Sequence, residues 1–177
     1  MARPDAARES GASMSTKRRS YESGHKPKCL VVVDDTPECD RAVYYAARWA
    51  KRGGGGVVML RVIETDQRNQ EWRGVADIMR AEAHEEANAV LDRHAIRSSS
   101  ITGVMPQRVI REGEKAQEVL NLIEDDEDIA ILVLAADTGK EGPGPLVSSV
   151  CKNAGDFPIP VAIVPGHLSD EDLDAMS

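Results

Sequence analysis

Five short apolar runs, each separated from the next by a helix-patterned segment, constrain this chain more than any other feature. Cys29–Val33 is a continuous run rich in β-branched residues, the pattern of a strand buried on both faces. Val57–Ile63, Gln107–Arg111, Ile129–Ala135 and Pro160–Val164 read as four more strands, the third of them more polar. The segments between them repeat apolar residues at helical spacing. Thr36 and Pro37 open the first helix as N-cap and first turn, with Glu38 and Asp40 near its positive end. That helix puts Ala42, Ala46, Trp49 and Ala50 on one face and stops at Gly53–Gly56. A long second helix runs to about Ile96, marked by Val75, Ile78, Met79, Ala83, Ala87, Val90 and Leu91. Glu114–Glu124 and Leu146–Asn153 complete the set. The order βαβαβαβαβ implies a parallel sheet with right-handed crossovers. Ligands of such sheets sit beyond the carboxyl ends of strands at the switch point. Asp34-Asp35-Thr36 and Asp137–Ser149 occupy that position.

Outside this pattern the chain divides into three. Residues 1–27 are rich in Arg, Ser, Gly and Lys and nearly free of large apolar side chains, so disorder is expected there. Met14 offers a second, shorter start. Residues 28–166 form the α/β domain, and residues 167–177 are expected as an acidic, frayed end. The charge is split in the same way: residues 1–28 carry +4 and the remainder −12. A body this acidic lacks the basic footprint that nucleic acids and anionic membranes require. Aromatics are only 3% of 177 residues, so the core must be aliphatic. Cys29, Cys39 and Cys151 are odd in number, without CxxC spacing, which favours a reducing, cytoplasmic setting and a role as small buried side chains. No apolar run approaches ~18 residues, the length a membrane helix needs.

Chemistry-bearing groups are few. Asp34-Asp35 resembles the paired carboxylates that hold Mg²⁺ in receiver domains, but no Asp follows the third strand to accept a phosphoryl group. The histidines at 25, 84, 94 and 167 show no metal-ligand spacing with Cys or carboxylates, and the acids Glu124–Asp128 read as a solvated helix end. The loop Gly139–Pro145, followed by Ser148-Ser149 at a helix start, is a plausible anion cradle, because glycine lets backbone N–H groups approach oxygens closely. It lacks the spacing of a P-loop.

Taken in order, several segments resemble the universal stress proteins. They are CLVVVDDTPECDRAVYYAARWAKR, VVMLRVIE, VIREGEKAQEVLNLIEDDEDIAILVLAA and FPIPVAIVPG, spread over about residues 28–166. The resemblance implies a doubly wound, five-stranded parallel sheet sandwiched by helices, of the adenine-nucleotide alpha-hydrolase-like kind. It implies a homodimer joined through the last strand, here Val161 and Ile163, and an uncovered apolar edge is a liability that such pairing removes. It also implies ATP as a cofactor of many members. Asp34 matches the Asp after the first strand and Val62 the backbone contact on the second. In the phosphate loop, G-x-x-G-x₉-G-S/T in the family, Ala136 stands at the first Gly and Gly139 matches the second. The spacer shrinks to residues 140–146, Val147 replaces the third Gly, and Ser148 matches the Ser/Thr. Asp35 replaces a Gly and adds charge, while Pro143 and Pro145 remove two donors. Gly142 and Gly144 are left to build a different cradle. The reading is therefore a stress-response binding or signalling module without catalytic activity, partnered by other proteins, with an ATP-binding switch at Asp34, Val62, Gly139, Gly142 and Ser148 as its alternative.

Overall fold

The structure, a computed structural model, describes residues 16–65 and 73–177. Its strands are β1 (Lys28–Val32), β2 (Gly56–Ile63), β3 (Gln107–Glu112), β4 (Ile129–Ala136) and β5 (Val161–Pro165). Between and after them come α1 (Cys39–Gly53), α2 (Arg73–Thr102), α3 (Lys115–Asp125), α4 (Pro145–Lys152), a 3₁₀ turn at Ala154–Asp156 and α5 (Asp170–Met176). All five strands are parallel, in the order β3-β2-β1-β4-β5.

Strand alternation sorts the core into two layers. Cys29, Val31, Val57 and Met59 point to one face and pack with Ala42 and Ala46 of α1, Leu91 of α2 and Leu173 of α5. Leu30, Val32, Val58 and Leu60 point to the other and meet Val119 and Ile123 of α3 and Val147 and Val150 of α4. The sheet is doubly wound, as expected, and both faces are covered by aliphatic side chains.

The ends of elements depart from expectation. The first helix begins at Cys39, not at Thr36, and Glu38 precedes it without a side-chain cap. Thr36 fails as an N-cap because it donates to Asp34 instead. α2 runs past Ile96 to Thr102: the hydroxyls of Ser99 and Ser100 fold back onto the carbonyls of Ile96 and Arg97 rather than ending the helix. Ala87, Val90 and Leu91 of α2 are buried, whereas Val75, Ile78 and Met79 are exposed.

Both termini are also corrected. Residues 169–177, read as frayed, hold a helix closed by a capping box between Ser169 and Asp172. Leu173 is buried against the α1 side of the core, Tyr44 Oη donates to Asp174 at 2.7 Å, and Arg97 donates to both oxygens of Asp170. Residues 16–27, read as disordered, lie against the end of α3. The Arg19 N–H donates to Glu127 O at 3.0 Å and the Lys28 N–H to Asp128 O at 2.8 Å. Residues 1–15 of the expected tail lie outside the described residues.

Candidate functional site

β1 and β4 lie side by side at the centre of the sheet, and their crossovers leave in opposite directions. A crevice must open where the two loops part. After β1, the chain turns at Asp34. Asp34 Oδ1 accepts the Thr36 N–H at 3.0 Å and the Thr36 hydroxyl at 2.5 Å, while the Asp34 N–H donates to Cys39 Sγ at 3.4 Å. The next carboxylate turns away, pairing with Arg61 Nη2 at 2.5 Å. This divides the Asp34-Asp35 pair between two surroundings.

After β4, Asp137 Oδ1 accepts the Gly139 N–H at 2.9 Å, and the Gly142 N–H donates to Gly139 O at 3.3 Å. Gly142 and Gly144 have φ of 93° and 99°, a region that only glycine enters without strain. Gly144 is the N-cap of α4, Pro145 opens the helix, and the Ser148 N–H closes its first turn onto Gly144 O at 3.0 Å. The left-handed turn thus falls at Gly144, three residues before Val147. Val147 is helical and buried with a negative φ, so the lost glycine at that position costs no strain.

The two loops enclose a cleft of about 490 Å³. Asp34, Gly142 and Ser148 line it. Gly139 and Val62 do not: Gly139 is held by Asp137, and the Val62 side chain is buried in the layer under α3 and α4. Sequence reasoning missed three lining groups, Glu38, Cys39 and Lys115. Lys115 could have been anticipated, because it opens the helix after β3 and that junction also lies at the carboxyl edge of the sheet.

Cys39 is the one thiol in the cleft. Burial pushes it up to about 12, with the hydrogen bond from the Asp34 N–H working the other way. It stays protonated at neutral pH and is a poor nucleophile. Among the described residues no histidine lines the cleft, so none of them places an imidazole base beside Ser148. The arrangement suits holding a ligand by backbone donors, one hydroxyl and carboxylates.

The sequence model of the universal stress protein family matches residues 27–165. No curated protein sequence matches the chain significantly. Among solved structures, the universal stress protein UspA from Lactobacillus plantarum superposes with a TM-score of 0.68 at 16% identity, over 78% of this chain and 97% of that one. A universal stress protein from Archaeoglobus fulgidus in complex with dAMP gives 0.55 at 17% identity, over 78% and 97%. A universal stress protein in complex with cAMP gives 0.59 at 16% identity, over 78% and 96%. At these identities the superpositions establish the fold.

Proposed function

The chain belongs to the universal stress protein family, and from that premise we propose that it is a homodimeric, non-catalytic binding module of the stress response, acting in the cytoplasm, that holds an adenine nucleotide in the cleft between Asp34 and α4. One observation carries the reading: Asp34 after β1 converges on one cleft with Gly142 and Ser148, which lie far along the chain after β4, at the switch point of the sheet. Two structures of the same fold are complexes with adenine nucleotides, dAMP and cAMP. The protonated Cys39 thiol, with no histidine beside it among the described lining residues, argues for binding over turnover. Homodimerisation is read at β5, where Ile163 is 40% exposed on the edge of the sheet. No helix among the described residues is long and apolar enough to cross a membrane.

The test is direct. Protein purified without added ligand is denatured and its supernatant examined by mass spectrometry, and the stripped protein is titrated calorimetrically with adenosine and its phosphates. Adenine compounds should bind in the micromolar range, and Asp34→Ala should weaken them at least tenfold. No binding of any adenine compound at millimolar concentration would sink the nucleotide reading. The second reading is then a protein-partnered module, favoured by Val75, Ile78 and Met79, which stand exposed at helical spacing along α2.

A further inference from the structure

The charge lining the cleft is unbalanced. Four carboxylates, those of Asp34, Glu38, Asp137 and Glu141, face one ammonium, that of Lys115. Lys115 is half-buried and has no ion pair or hydrogen bond among the described residues. Lys17 and Lys28 are paired with Glu22 and Asp126, and the other described lysines, at 26, 51, 140 and 152, are exposed. A half-buried ammonium without a partner is costly unless something anionic completes it.

The loop after β4 turns part of its backbone onto itself. The Gly139 N–H goes to Asp137, the Gly142 N–H to Gly139 O, and the Ser148 N–H to Gly144 O, while Pro143 and Pro145 have none. Asp137 in effect sits on a donor that a phosphate oxygen would otherwise use. One free ammonium lining the cleft can neutralise one phosphate group, but it cannot offset the charge of a triphosphate lying among four carboxylates.

We propose that Lys115 sets the ligand class of this cleft: it anchors a nucleotide with a single phosphate and the surrounding carboxylates turn away the triphosphate. The proposal rests on the nucleotide-binding reading above. Glu141 and Asp137 act as the repelling groups, so specificity here comes from disfavouring the wrong ligand as well as from holding the right one.

The experiment compares adenosine, AMP, cyclic AMP and ATP by calorimetry on the full chain with and without Mg²⁺, for the unaltered protein, Lys115→Gln and Glu141→Gln. AMP or cyclic AMP should bind at least tenfold more tightly than ATP. Lys115→Gln should reduce the single-phosphate ligands to the affinity of adenosine while leaving adenosine itself unchanged. Glu141→Gln should raise ATP affinity severalfold. Unchanged adenosine binding shows that the variant is folded, so loss of the phosphate increment is read at Lys115 alone. ATP binding as tightly as AMP, with or without Mg²⁺, or phosphate-independent binding in the unaltered protein, would overturn the assignment and leave the nucleotide reading standing. Failure of adenosine and all three phosphates to bind would remove both.

Discussion

The hydroxyl of Thr36 donates to the same Asp34 oxygen that accepts the Thr36 backbone N–H, at 2.5 and 3.0 Å. Both bonds close a turn that holds the carboxylate at the mouth of the cleft. Thr36 itself is exposed, so the hydroxyl contributes little to global stability, roughly 0.5–1 kcal/mol. Its effect on position is larger than its effect on stability. Thr36→Val keeps the shape and the N–H but removes the second donor. Nucleotide affinity should fall about three- to tenfold by calorimetry, with the melting temperature lowered by no more than ~4 °C. Thr36→Ser should restore the affinity. A Val variant that binds normally would show that Asp34 needs no such fixing.

At the opposite end of the sheet, Arg18 closes the carboxyl end of α3. Its Nη1 donates to Ile123 O at 2.5 Å and to Asp126 O at 3.0 Å, carbonyls that the last turn of a helix leaves open. Lys28 Nζ meets Asp126 at 2.7 Å, and His25 Nδ1 lies 2.6 Å from Asp128. The segment is therefore a strap on the domain. Arg18→Ala should cost about 1–2 kcal/mol, and deletion of residues 16–26 should cost more. Thermal melts check both. A deletion that leaves the melting temperature unchanged would return this segment to the status of a dispensable tail.

The sheet was legible because its signal is repetitive: four of the strands between Cys29 and Val164 are apolar runs, the more polar edge strand β3 falls in the same alternation, and the runs are bounded by glycine, proline or acids. The strap and α5 were not, because their signal is pairwise. Arg18 is ordinary until α3 ends beside it, and Leu173 is one apolar residue among acids until Tyr44 and Arg97 receive Asp174 and Asp170. The acids Glu124–Asp128 read as solvated for the same reason, since Asp126, Glu127 and Asp128 find Lys28, Arg19 and His25 far back in the sequence. In the cleft, Asp34 and Ser148 could be located because loops at the carboxyl edge of a parallel sheet meet. The shift of the left-handed turn from Val147 to Gly144 could not, because it depends on where Pro145 starts α4.

His94 gives the fold a pH dependence of definite sign. The ring is 7% exposed and has no hydrogen-bond partner among the described residues. Burial lowers its pKa and Arg93 lowers it further, against opposing pulls from Asp40, Asp34 and Asp35. In the unfolded chain the group titrates at about 6.5, so below that pH the unfolded state binds the extra proton first. Stability is full above ~6.5 and is lost as pH falls toward the lowered folded value, where the loss levels off. The melting temperature should therefore fall between pH 7.5 and 5.5, and His94→Leu should flatten that slope. Equal slopes in the two proteins would place the acid sensitivity elsewhere.

The two edges of the sheet differ in how they resist pairing. β3 carries Gln107, Arg108, Arg111 and Glu112, with Arg111 held by Asp125 and Glu112 by Arg80 and His84. Charged residues of this kind blunt an edge strand. β5 reads Val161-Ala162-Ile163-Val164, bonded to β4 on one side only, with Ile163 opposite Leu134 and 40% exposed. Nothing in that run discourages a second β5 from pairing with it. If the homodimer forms there, Ile163→Lys should convert it to monomer in sedimentation velocity, because two like charges would meet across the contact. Ile163→Thr keeps the β-branched shape favoured in strands and should weaken the dimer without charge repulsion, which separates loss of apolar contact from misfolding. Circular dichroism should be unchanged in both. A Lys variant that remains a dimer with an intact fold would move the interface away from β5, and the exposed face of α2 would be the next place to mutate.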